Sequence, residues 1–128
     1  MNSLQALNKI KKLCELNPYM EVCGFLGYDD KKKSYVVEPK KNISDNPRQY
    51  FMLDPVDYIL FKDEYSLIAV YHSHIKGNEK PSEFDIKMSE NCCDPFLIYS
   101  LNNKKVHIYE PQNMDLDVNR LEQVKDKL

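Results

Sequence analysis

The sequence predicts an α/β fold, a mixed and mostly antiparallel sheet flanked by helices, and three observations carry that prediction. An amphipathic stretch at residues 3–16 has helical spacing. After it come short apolar runs rich in Val, Ile, Tyr and Phe, each of strand length and bounded by Gly, Pro, Asn or Asp. Those runs are joined partly by hairpin-sized turns and partly by segments with helix-start signals, the mixture expected of an α/β domain. The chain has 128 residues, 30% of them charged, enough for one domain with its own core. It shows no internal repeat, low-complexity tract or linker.

Each element has a local reason. Leu4, Leu7, Ile10, Leu13 and Cys14 recur at three- and four-residue spacings between lysines and asparagines, which predicts a helix over 3–16 stopped by Asn17-Pro18. Residues 21–28 read as a strand in which Gly24 and Gly27 permit close backbone approach. Asp29 to Lys33 turns the chain into a second strand, Ser34 to Glu38. Pro39 to Arg48 is polar and rich in Asn, Asp and Pro, and reads as a loop. Tyr50 to Leu53 is expected to be a short strand. Asp54-Pro55 then opens a helix to about Glu64, an N-cap followed by proline in the first turn. Leu67 to His74 is the central strand, and Ser82 starts another helix. Phe96 to Leu101 and Lys105 to Tyr109 form a hairpin across Asn102-Asn103. From Met114 onward, Leu116, Val118, Leu121, Val124 and Leu128 give a weak helical pattern. The expectation is a single domain over 1–128 with residues 111–128 as a tail that can be peripheral, partner-binding or frayed.

Composition removes several function classes. A formal net charge of −2 gives no basis for nucleic acid as a partner. The Lys31-Lys32-Lys33 run reads as a solvated turn. No segment approaches the ~20 apolar residues of a membrane span, so no membrane partner is expected. The N-terminus lacks the apolar core of a signal peptide, which predicts a cytoplasmic protein. Cys14 and Cys23 fall on apolar faces as core thiols. Cys92-Cys93 lacks the C-x-x-C spacing of a zinc or redox motif and reads as packing. Asn42-Ile43-Ser44 matches a glycosylation pattern that carries no weight without a secretory signal.

The chemistry concentrates in Tyr71-His72-Ser73-His74, followed by Ser82 and Asp85. Alternation along a strand puts His72 and His74 on one face and Ser73 on the other. Two imidazoles at a strand end can reach one metal ion, and Asp85 can add a carboxylate oxygen from the next element. Two nitrogens and one oxygen leave a fourth tetrahedral position open, the arrangement of a catalytic zinc. Ser82-x-x-Asp85 is equally a capping-box pattern, and the residues alone leave both readings open.

His72-x-His74, seven residues, Ser82, two residues, Asp85 resembles the signature of the JAMM (MPN+ or JAB) zinc metalloproteases. Upstream, Glu21-Val22-Cys23-Gly24-Phe25-Leu26 is similar to the Glu-x-Cys-Gly-x-Leu-x-Gly opening of compact prokaryotic members, with Gly27 directly after Leu26, one position before the pattern's last glycine. The likeness covers about residues 1–110. It departs at Ile75, where many relatives have proline. The resemblance implies the MPN, cytidine-deaminase-like fold and a Zn2+ cofactor on His72, His74 and Asp85. It also implies Glu21 as proton acceptor and donor, and Ser82 as hydrogen-bond donor to the oxyanion. The implied reaction is hydrolysis of a peptide or isopeptide bond at the tail of a ubiquitin-like protein or in a small peptide. A compact phage-type member is compatible, as is a non-catalytic MPN scaffold or protein-binding module, including one in phage tail assembly. Zinc deaminases on the related fold require H-x-E and P-C-x-x-C, which this chain lacks. The oligomeric state is not legible from the residues.

Overall fold

In the computed structural model, which describes residues 1–114 and 118–128, the elements run α1 (Ser3–Glu15), β1 (Cys23–Asp29), β2 (Ser34–Lys40), α2 (Pro55–Glu64), β3 (Ser66–His74), α3 (Glu83–Cys92), β4 (Phe96–Ser100), β5 (Lys105–Tyr109) and α4 (Val118–Lys125). The described strands form one sheet of order β2-β1-β3-β4-β5. Only the β3–β4 pairing among them is parallel, with α3 as the crossover between the two. The predicted α/β class with a mostly antiparallel sheet is therefore correct.

Caps set the helix starts, at α2 as the sequence predicts and at α1 through a pair it did not single out. Asn2 Oδ1 accepts from Gln5 N–H at 2.8 Å while Gln5 Oε1 accepts from Asn2 N–H at 3.0 Å, a reciprocal box at the head of α1. Asp54 Oδ1 accepts from Val56 N–H at 2.9 Å, with Pro55 in the first turn of α2. Two apolar layers sandwich the sheet. Leu7, Ile10, Leu26, Tyr71, Leu97 and Leu121 pack on the α1/α4 side. Phe25, Phe61, Val70, Phe96 and Ile98 pack on the α2/α3 side.

A bulge in β3 decides which residues meet which layer. Leu26 pairs with Ala69 but Gly27 pairs with Leu67, leaving Ile68 as an extra residue. Ile68 and Ala69 thus both join the α1/α4 layer, and Leu67 and Val70 the other. From Val70 on, alternation is regular, so His72 and His74 share the α2/α3 face. Gly24 and Gly27 are needed for closeness. A Cβ on Gly24 would lie 2.3 Å from the Glu38 carbonyl oxygen and 2.6 Å from the Tyr71 ring.

Three expectations change. Tyr50–Leu53 is not a strand. Its contacts are Ile43 N–H to Met52 O at 2.9 Å and Met52 N–H to the Asn42 side chain at 3.0 Å, so a side chain replaces the second rung and no ladder grows. Cys92 is exposed, and Cys93 is a half-buried left-handed C-cap, φ 61°, so the vicinal pair is not packed in the core. The tail pattern resolves in part: Leu121 and Val124 of α4 are buried in the α1/α4 layer, and Leu116 lies outside the described residues.

Candidate metal and hydrolytic centre

The centre is built where the end of β3, the head of α3 and the entry to β1 meet. Cys23 pairs with His72. The antiparallel run continues one step past the strand, with Ser73 N–H donating to Val22 O at 2.9 Å and Val22 N–H donating to Ser73 Oγ at 2.8 Å. Ser73, facing away from the histidines, thereby fixes the approach of Glu21, which lies two residues before β1. Glu21 N–H donates to Pro47 O at 2.7 Å. Asn42 Nδ2 donates to the Glu21 and Tyr50 carbonyls, both at 2.9 Å.

Asp85 sits between the two imidazoles. Its Oδ1 is 3.1 Å from His72 Nε2 and its Oδ2 is 2.9 Å from His74 Nε2. One ligand atom each from His72, His74 and Asp85 lies within 4.8 Å of the others, the sole such His/Cys/Asp/Glu group among the described residues. Asn78 orients His74. Its carbonyl can only accept, so the 2.9 Å contact places a proton on His74 Nδ1. That leaves Nε2, on the Asp85 side, as the nitrogen that could ligate a metal.

His72 is wholly buried, and neither ring nitrogen has hydrogen-bond geometry to any partner. Phe51 stacks on it at 4.2 Å and 22°, and Phe96 meets it edge-on at 5.5 Å. An imidazole buried in this way is anomalous as a structural group and fits a cation ligand. Tetrahedral zinc with bonds of ~2.0–2.1 Å spaces its ligand atoms about 3.3 Å apart; here each imidazole is 2.9 or 3.1 Å from its nearer Asp85 oxygen, and one ligand atom from each of the three residues lies within 4.8 Å of the others. The residues fit the metal.

Electrostatics agree with that set. Burial lowers the His72 pKa and outweighs Asp85, so the ring is neutral, as a ligand must be. Burial also acts against charge on His74, but Asp85 and the Asn78 carbonyl outweigh it and raise the pKa. For Asp85, burial is overcome by both imidazoles and the Ser82 amide, which hold its carboxyl well below the usual range. Glu21 differs. It is buried with few partners, and desolvation, opposed by His74 and reinforced by Asp85, pushes its pKa up to about 8.

Ser82 reconciles the two sequence readings. Its Oγ accepts from Asp85 N–H at 3.0 Å while Asp85 Oδ2 accepts from Ser82 N–H at 3.0 Å, a complete capping box at α3. Asp85 is thus a cap and a candidate ligand at once. The Ser82 side chain lines a cleft of about 370 Å3 that also includes Glu21 and His74, and its hydroxyl proton is not used by the cap. All five residues singled out in the sequence therefore meet in one place. Asn42, Phe51 and Asn78 were missed as site residues. Asn42 and Asn78 each had a local signal, because an Asn in a turn-rich segment accepts from the N–H two residues on, here Ser44 N–H to Asn42 Oδ1 and Lys80 N–H to Asn78 Oδ1, both at 3.0 Å.

The model of the prokaryotic homologs of the JAB domain matches residues 4–116. A tail tip assembly protein K of Escherichia phage N15 is 28% identical over 92 residues, 72% of this chain. The chain spans 37% of that relative's length. A solution structure of a Desulfitobacterium hafniense protein superposes with a TM-score of 0.62 at 20% identity, covering 91% of this chain and 94% of that one. A Salinibacter ruber protein gives 0.50 at 15% identity, covering 87% and 89%.

Proposed function

The chain belongs to the family of prokaryotic homologs of the JAB domain, and on that premise we propose that it is a zinc-dependent hydrolase of a peptide or isopeptide bond. The observation that carries the reading is His72, wholly buried with no hydrogen-bond geometry at either ring nitrogen and with Nε2 3.1 Å from an Asp85 carboxylate that the His74 imidazole also approaches. His72 Nε2, His74 Nε2 and an Asp85 oxygen would hold the ion. Bound zinc would polarise the scissile carbonyl and bring the pKa of a water molecule from ~15.7 toward ~7.

The remaining work falls to side chains. Glu21 would take the proton from the attacking water and return it to the leaving amine; burial raises its pKa in the metal-free fold, and a bound cation would draw it back toward the ionised form that a base needs. Ser82 would donate its free hydroxyl proton to the oxyanion while its oxygen still accepts from Asp85 N–H. The Asn78 carbonyl would keep His74 in the ligating tautomer. An extended tail, of a ubiquitin-like protein or a short peptide, would lie along the cleft bounded by 44–52 and the head of α3.

The likeness to a phage tail tip assembly protein supports a second reading, a scaffold or protein-binding module of tail assembly without catalysis. Elemental analysis of untagged protein separates the two. The hydrolase reading expects about one zinc per chain, lost in His74→Ala, with peptide hydrolysis that falls ~10²–10⁴-fold in Glu21→Gln while zinc stays bound. No zinc after reconstitution would sink it and leave the scaffold.

A further inference from the structure

Three clefts meet at Glu21, and charge around them is segregated. One of about 580 Å3 is lined by Asn46, Arg48, Gln49, Ile75 and Lys76 besides Glu21. A second, the 370 Å3 cleft at Ser82, adds Lys80, and a third of about 350 Å3 adds Lys40 and Lys41. Among the described residues lining them, Glu21 is the sole acid, in a chain with 20 acids against 18 Lys and Arg. Lys40 pairs with Glu38, but Arg48, Lys41, Lys76 and Lys80 enter no ion pair among the described residues. Beyond Ser82 the sign reverses. The cleft of about 600 Å3 there is lined by Asp45 and Glu83 with Tyr50, Phe51, Met52 and Phe84, and by no cation. Tyr50 and Phe84 meet edge to face in its lining, with ring centroids 5.1 Å apart.

We infer that this cleft selects a substrate whose segment on the Glu21 side of the scissile amide is anionic, presenting a carboxylate to Arg48, Lys76 and Lys80. The inference rests on the hydrolase reading and names its substrate class. Cations without partners along a concave surface concentrate anions there and repel a basic segment. Such complementarity acts mainly on specificity and encounter rate. The aromatic and acidic cleft on the other side of Ser82 favours an apolar, non-acidic segment, so the two ends together fix the direction in which a chain lies. The carboxylate can come from an Asp or Glu side chain or from a free chain terminus, since the same cations accept either.

The test uses fluorescein-labelled heptapeptides that are identical except for an Asp-Asp, Asn-Asn or Lys-Lys pair next to the central amide. Each is made with a free and with an amidated C-terminus. Anisotropy reports their binding to Glu21→Gln protein with and without zinc, and hydrolysis by the wild-type chain is scored separately. The expected result is binding of the Asp-Asp probe ~10-fold tighter than the Asn-Asn probe at low salt, with Lys-Lys weakest and the gap narrowing as salt rises. The double variant Arg48→Glu/Lys76→Glu, altered only at exposed positions, removes the gap. An Asp-Asp preference that survives amidation assigns the carboxylate to the side chain; weaker binding of every probe on amidation, with no gap between the pairs, assigns it to the terminus. Equal affinity of the three pairs that amidation leaves unchanged, no binding of any, or a selectivity unchanged in the double variant overturns the inference. Selective binding with no hydrolysis by zinc-loaded wild type would instead overturn the hydrolase reading and leave the inference standing, and hydrolysis indifferent to charge would do the reverse.

Discussion

Tyr71 and His72 are neighbours on β3, face opposite sides of the sheet, and are both wholly buried with polar atoms that have no hydrogen-bond partner. Their surroundings differ. The Tyr71 ring packs against Gly24, and burial, reinforced by the Cys14 and Cys23 thiols, pushes its phenol far above its ordinary pKa. Among the described residues, those thiols belong to no group of three metal-ligating side chains. The His72 nitrogens, by contrast, belong to a group of three ligand atoms within 4.8 Å of one another, next to an acid-bearing cleft. A lone unpartnered polar atom is a packing cost. Several converging on one point are a site, and convergence rather than burial separates the two faces of this strand.

The largest effect should come from removing the group on which the open face converges. Asp85→Ala deletes a buried carboxylate contacted by two imidazoles and a cap to α3. We expect zinc to be lost on dialysis and the zinc-free protein to be about 3–4 kcal/mol less stable by urea unfolding. Zinc retained at wild-type stoichiometry would remove the distinction between the faces. Gly24→Ala should act through the closed face alone. The added Cβ must displace the Glu38 carbonyl or the Tyr71 ring, which costs about 2–3 kcal/mol. Zinc content should not change, and a loss of metal would show that the faces are coupled.

Most of this arrangement was legible because it depends on local rules. Period-two alternation put His72 and His74 on one face. The Ser82-x-x-Asp85 spacing fixed the head of α3, and therefore where the carboxylate stands. What stayed hidden depends on distant pairing. The sheet register that brings Cys23 opposite His72, and so delivers Glu21 to the histidines, has no local signature; only the family resemblance suggested it. Phe51 lies in a segment that alternates like a strand, yet its ladder ends at the Asn42 side chain, and the ring is used to cover His72. The bulge at Ile68 was equally invisible, since the apolar run there suits either face.

A smaller, pH-dependent effect sharpens the role of Glu21. In the unfolded chain its carboxyl ionises from about 4.5, whereas burial raises it to about 8 in the fold. Between those values the unfolded state releases a proton that the native state keeps. Stability therefore falls as pH rises through this window, and the cost is complete above about 8. Glu21→Gln removes the titration. The zinc-free variant should match wild type near pH 4 and exceed it by about 1–3 kcal/mol near pH 9, after allowance for partial solvation. Urea midpoints across that range measure it, and parallel curves for the two proteins would mean the carboxyl is solvated rather than buried.

The smallest effect tests the closed face at its one anomaly. The Tyr71 hydroxyl is a buried donor without a partner, so Tyr71→Phe removes a desolvation penalty while keeping the ring that fills the space above Gly24. The variant should be as stable as wild type or more stable by up to ~1 kcal/mol, with zinc content and hydrolysis unchanged. The opposite result would be more informative than its size suggests. A loss of stability or metal on deleting a single oxygen would mean that the hydroxyl has a partner, such as a buried water, and that polar atoms on both faces of β3 are organised for use.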